Sequence, residues 1–235
     1  MVSASPWTTV RGPTFIRLLA RLTDVDVAPS KQSLSDRLSH WLDWTHALAL
    51  STVLDGQHSA DGGGAPAFGS ADDEECARVR ASLAQTIAGD KAFTERQPAD
   101  EGVHYAVFRQ RYFALQRKMQ ATTGHLRGRL RDMLAQKSHD MARLAAVDAV
   151  MEQALSPREQ MLLAAVPAVL GKHFDRLREA ESKSLEDVQA TENTTAVIRG
   201  AWLDVFRRDM QSVLLAELDV RFQPVEGLLA ALRTS

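Results

Sequence analysis

Between Arg109 and Lys137 the chain reads RQRYFALQRKMQATTGHLRGRLRDMLAQK, with eight Lys or Arg and one acid, Asp132, in a protein whose formal net charge is −2. Guanidinium and ammonium groups at this density can neutralise carboxylate or phosphate without help from any other residue type. At about 100° per helical residue they flank the apolar positions rather than oppose them. Arg109, Arg117, Arg127 and Arg131 line one edge, and Arg111, Lys118 and Arg129 line the other. Those are the edges on which charges of paired helices select a partner. Three uses are open. The stems can cover apolar surface while the charges stay in water. The charges can meet an acidic helix, either of a partner or of the same chain. Or the seven residues can hold duplex DNA by its phosphates, which would be sequence-tolerant and steeply salt-dependent. The segment from Asp140 to Ser235, with Glu179, Glu181, Glu186, Asp187 and Glu192 among its acids, could neutralise the arginines in cis.

Other chemistry finds little to build on. His40 and His46 lie six residues apart, about 240° around a helix, so they cannot share a ligand face. The sequence has no HExxH, and Cys76 has no nearby histidine partner, so no metal site is expected. The acids Asp72 to Glu75 fit the start of a helix, where the dipole favours negative charge. Gly62 to Gly64 belong to no phosphate-binding motif. Neither a nucleophile nor a cofactor site can be located, and a non-enzymatic protein is expected. The stretch WLDW places Trp41 and Trp44 in one helical turn. Core packing is one role for them, and a partner-docking surface is the other, because tryptophan is favoured at interface hot spots.

The elements that must position these residues are helices. Aromatics make up only 6% of the chain and strong helix formers are abundant, so helix is favoured over sheet. A first helix is predicted at GPTFIRLLARLT, with Phe15, Leu18, Leu19 and Leu22 on one face. A second is predicted from about Lys31 to Leu54. The Gly-, Ala- and Ser-rich stretch that follows reads as a flexible linker. A helix of about 50 residues and about 75 Å is predicted from Val103 to Leu155. Its apolar stripe is Tyr105, Phe108, Tyr112, Leu115, Met119, Leu126, Leu130, Met133, Met141, Leu144 and Met151. Opposite that stripe, Ala114, Ala121, Gly128 and Ala135 recur every seven residues with Gly124 nearby, a row along which another backbone could approach.

SPRE at Ser156 predicts a new helix start with Ser156 as N-cap and Pro157 at the first helical position. Pro167 predicts a kink, and Pro224 predicts a reset after a last helix of about Thr195 to Arg221. The expected fold class is all-α, an elongated helical bundle built on a long central helix of about 50 residues, with a small N-terminal helical module. The expected boundaries are 1–55 for that module, 56–71 for the linker and 72–235 for the bundle. The lone cysteine excludes an intrachain disulfide and fits a reducing compartment. No run reaches the roughly 20 apolar residues of a membrane span, and the opening residues lack a signal-peptide pattern, so a soluble cytoplasmic protein is expected.

Long strings of the chain resemble a proteobacterial family of uncharacterised proteins. They are RGPTFIRLLARLTDVDVAPSKQSLSDRLSHWLDWTHALALSTVL, RQRYFALQRKMQ, LAAVDAVMEQALSPRE and WLDVFRRDMQSVLLAELDVRFQPVEGLLAALR. Members of that family are similar to the F component of type III Zorya, an anti-phage defence system. The resemblance implies a component that works with a second soluble protein and, transiently or indirectly, with a MotA/MotB-like inner-membrane motor. Duplex DNA is the further partner it suggests, and a homo-oligomer is open. The rival reading is a helical adaptor or regulatory interaction protein with no DNA contact. The resemblance carries over no catalytic residue.

Overall fold

The structure, a computed structural model, describes residues 14–24, 34–56, 68–94, 103–191 and 200–234. Helix accounts for 92% of them and none forms a strand, so the all-α class holds. In chain order the helices are α1 (Thr14–Thr23), α2 (Leu34–Trp41), α3 (Trp44–Asp55), α4 (Ser70–Ala88) and α5 (Lys91–Thr94), followed by α6 (Tyr105–Ala135), α7 (His139–Ala164), α8 (Val166–Thr191) and α9 (Ala201–Thr234). Most of the linker expected over 56–71 lies outside the described residues, and its last two already belong to α4.

The bundle is organised around α9, which packs against α1, α4, α5, α6 and α8. It presents Leu203, Phe206, Met210, Val213, Leu214, Leu218, Phe222, Val225, Leu228 and Leu232 to the core at helical spacing, all of them buried. That stripe runs straight past Pro224, so the expected reset does not occur and α9 is one helix of 34 residues. Burying four more apolar side chains beyond the proline outweighs one missing hydrogen bond.

The helix of about 50 residues exists, but it lies later in the chain than expected. α7 and α8 run on through Ala165 as one bent helix of 49 residues, His139–187. The expected N-terminus at Ser156 is absent because Pro157 points to solvent and so does Gln153, the residue whose carbonyl it leaves free. The bend falls beside Pro167, as expected. The helix predicted over 103–155 is instead divided at Gln136 to Ser138. Ser138 starts α7 as its N-cap, its Oγ accepting the Met141 N–H at 3.3 Å. The restart shifts the helical phase, which leaves Leu144 exposed while Ala142 and Ala145 are buried. On α6 the expected stripe holds from Phe108 to Leu130.

The expected second helix is also two. Asp43 interrupts it and caps α3, its carboxylate accepting the His46 N–H at 2.9 Å. That bond holds the Asp43 carboxyl below its ordinary value. The small N-terminal helical module is present, with α1 lying on α8 and α9, and α3 on α7.

Two polar or aromatic features pin the layers. Tyr105, Phe108, Phe174, Trp202 and Phe206 join α6, α8 and α9 edge to face, with Phe174 centred 4.8 Å from Trp202 and 5.0 Å from Phe206. Tyr105 lies so close to α8 that a Cβ at Gly171 would sit 2.9 Å from its ring, which is why a glycine stands inside that helix. Burial pushes the Tyr105 hydroxyl up to about 12. The other feature is Glu217 on α9, fully buried. It accepts from Tyr112 Oη at 2.6 Å, from Gln116 Nε2 at 3.1 Å and from Arg221 Nη2 at 2.8 Å. Burial first, and the Glu217 charge second, raise the Tyr112 pKa well above its ordinary value.

Removing the carboxylate would leave the buried Tyr112 hydroxyl without its acceptor and take one acceptor each from Gln116 and Arg221. Glu217→Ala is expected to cost about 3–5 kcal/mol of unfolding free energy in urea titration. Leu214→Ala, a purely apolar truncation, is expected to fall within about 2–5 kcal/mol on the same helix.

Candidate interaction surfaces

The seven basic residues are not gathered into one exposed row. Arg127 donates two hydrogen bonds to Asp148, Nε at 2.9 Å and Nη2 at 2.7 Å, and lies 3.4 Å from Glu152. Arg131, one turn on, pairs with the same Glu152 and lies 3.6 Å from Asp148. The turn at 136–138 folds α7 back along α6, which brings these residues, 21 positions apart, face to face. The Arg127 side chain is 15% exposed. Burial works against its charge, but the Asp148 carboxylate prevails and its pKa is raised.

The other flank is spent on different elements. Arg129 reaches α4 and pairs with Glu75, with Nη2 at 3.0 Å from Oε2. This guanidinium holds the Glu75 carboxyl below its usual value. Arg111 pairs with the buried Asp90 at the end of α4. Lys118 donates to Thr86 Oγ1 at 3.2 Å. Arg109 lies over the Phe113 ring at 5.6 Å, and Arg117 is exposed. Of the seven, therefore, Arg111, Arg127, Arg129 and Arg131 are ion-paired within the chain. The carboxylates that hold them come from α4, α7 and Asp90, and Asp148 and Glu152 alone belong to the C-terminal acidic segment.

The two tryptophans separate. Trp41 is half-buried with the Arg158 guanidinium 5.1 Å above its ring. Trp44, just past the break at Asp43, is 82% exposed. Leu48, one turn further, and Leu54 are exposed as well, and α3 has no fully buried residue. From Trp44 to Leu54 the helix carries no Asp, Glu, Lys or Arg. Met161 (74% exposed) and Leu162 follow one turn after Arg158 on α7, the helix on which α3 rests. With Leu144, six large apolar side chains thus stand in solvent on this pair of helices. Periodicity does not single out Leu48, Leu54, Met161 or Leu162 for exposure. The signal in the sequence was the uncharged run itself, since a helix packed on one face normally carries charge on the other.

Among the described residues, no group of three or more His, Cys, Asp or Glu is placed to hold a metal ion. No described helix is long and apolar enough to cross a membrane.

A family model described as "Protein of unknown function (DUF3348)" matches residues 1–234. The chain belongs to this family. No curated protein matches it, and no solved structure does. The family match covers the Arg127–Asp148 clasp and the Trp44 surface alike.

The clasp can be tested by a double-mutant cycle. Arg127→Ala and Asp148→Ala are each expected to cost about 1–3 kcal/mol, with the double variant recovering part of the sum. Strictly additive losses in denaturant unfolding would show that the pair does not couple α6 to α7.

Proposed function

We propose that the protein is a non-enzymatic helical interaction protein that docks a partner protein through α3. The observation that supports this best is Trp44, 82% exposed at the head of a run, Trp44 to Leu54, without Asp, Glu, Lys or Arg, and with Leu48 beside it. Contiguous apolar surface of this kind marks a binding site on a soluble domain. Tryptophan supplies large contact area for little side-chain entropy, as hot-spot residues do. Duplex binding through the α6 flanks is the weaker reading. Phosphates would have to displace Asp148, Glu152, Glu75 and Asp90 from guanidiniums they already hold, and exchanging one paired anion for another gains little. The resemblance to type III Zorya components bears on who the partner is. On that proposal it is the second soluble component or the MotA/MotB-like motor.

The test is a photo-crosslinking residue at position 48 of the full chain in its native cells. A discrete adduct with a protein is expected, and it should disappear when Trp44→Asp is added. That substitution is expected to change folding stability by less than about 0.5 kcal/mol, because the ring is exposed, while costing about 2 kcal/mol or more in binding. If the role is the anti-phage one, the adduct falls on a motor or effector protein of the same system. Absence of any adduct at 48, together with tight duplex binding by pure protein, would reverse the preference.

A further inference from the structure

Helices α4 and α6 both rest on α9 but touch each other only lightly, leaving a groove between them. It consists of two adjoining cavities of about 310 Å³ each, which share Glu75, Val79 and Thr122. Val79, Leu83 and Leu126 give it apolar walls. Arg78 and Lys118 line its edges. Neither cation makes an ion pair among the described residues. Glu75, the acid in the wall, is already neutralised by Arg129. Beside the groove, Ala121, Gly124 and Gly128 keep the α6 surface low, and a Cβ built on either glycine meets nothing within 4 Å.

We propose that this groove is a docking site for an acidic amphipathic helix of a partner protein. An apolar trough with an unpaired cationic rim is complementary to a helix that carries leucine-like residues on one face and carboxylates on its flanks. The small-residue row lets the incoming backbone approach closely. Two glycines inside α6 cost the free protein helix stability, and no described residue packs against the space a side chain there would fill. A duplex is the poorer occupant, because it is wider than the gap between two packed helices and has no use for apolar walls. The site is separate from the α3 surface and stands whether or not that surface docks a partner.

The probe is a fluorescein-labelled synthetic helix with leucines at i, i+3, i+4 and i+7 and glutamates on both flanks, titrated with the full chain by anisotropy. Saturable binding is expected, weakening several-fold as salt rises from about 0.05 to 0.5 M. Joint reversal of Arg78→Glu and Lys118→Glu is expected to weaken it about tenfold or more. Thr122→Trp, which fills the groove without changing charge, is expected to abolish it. Circular dichroism and the thermal midpoint of each variant separate lost docking from lost fold. A lysine-flanked version of the same peptide is expected not to bind. Equal binding of the lysine peptide overturns the proposal, and so does binding that survives Thr122→Trp in a folded variant. Stronger capture of a short duplex by the same two cations would assign the rim to polyanions instead.

Discussion

A carboxylate with no access to water stands at the middle of α9, and the packing of the bundle has to satisfy it. Glu217 can stay charged there only if donors surround it, and the donors come from its own helix (Arg221) and from α6 (Tyr112 and Gln116). Gln116 also reaches the Leu163 carbonyl of α7, so one cluster sets the relative position of three helices. Apolar contacts between α6 and α9 are non-directional and would tolerate sliding by a turn. Hydrogen bonds to a buried anion tolerate much less, because every misplaced donor costs its full desolvation. The arrangement resembles a polar residue at a core position of a coiled coil, which gives up some stability and fixes register.

With α6 held in register on α9, the fate of its basic edges follows. The turn at Ser138 brings α7 back along the edge that carries Arg127 and Arg131, and Asp148 and Glu152 meet them there. α4 arrives along the other edge and brings Glu75 to Arg129. The arginines then work as cross-braces between helices, the Arg127 and Arg131 pairs at sites shielded enough from solvent to matter and the more exposed Arg129–Glu75 pair contributing less. Where α4 and α6 diverge, Arg78 and Lys118 hold no carboxylate among the described residues, and there a groove lies open.

The N-terminal module follows a different rule. Its apolar residues are not all used by the chain, since α3 rests on α7 alone among the substantial contacts of the described residues and buries nothing completely. A helix kept this apolar and this exposed lowers solubility unless something covers it. Between the Trp44 face and the α4–α6 groove, the molecule offers one convex and one concave apolar surface, which suits a protein that joins others better than one that transforms a substrate.

Composition and periodicity were enough to determine the all-α class, which face of α1 and α6 is apolar, that Asp72 stands in the first turn of a helix and where Pro167 bends one. These features depend on residues within a turn or two of each other, so a local reading reaches them. The lengths of the helices were decided elsewhere. Pro157 and Pro224 stay inside helices because solvent or core contacts compensate them, and Ser138 ends a pattern that looked continuous because α7 has a place to go on α6. The partners of the arginines were likewise undetermined: Glu75, Asp90, Asp148 and Glu152 lie between 21 and 54 residues from the side chains they hold. Charge pattern shows that a residue wants a counter-ion. Only the packing of distant helices decides whether that counter-ion belongs to the same chain.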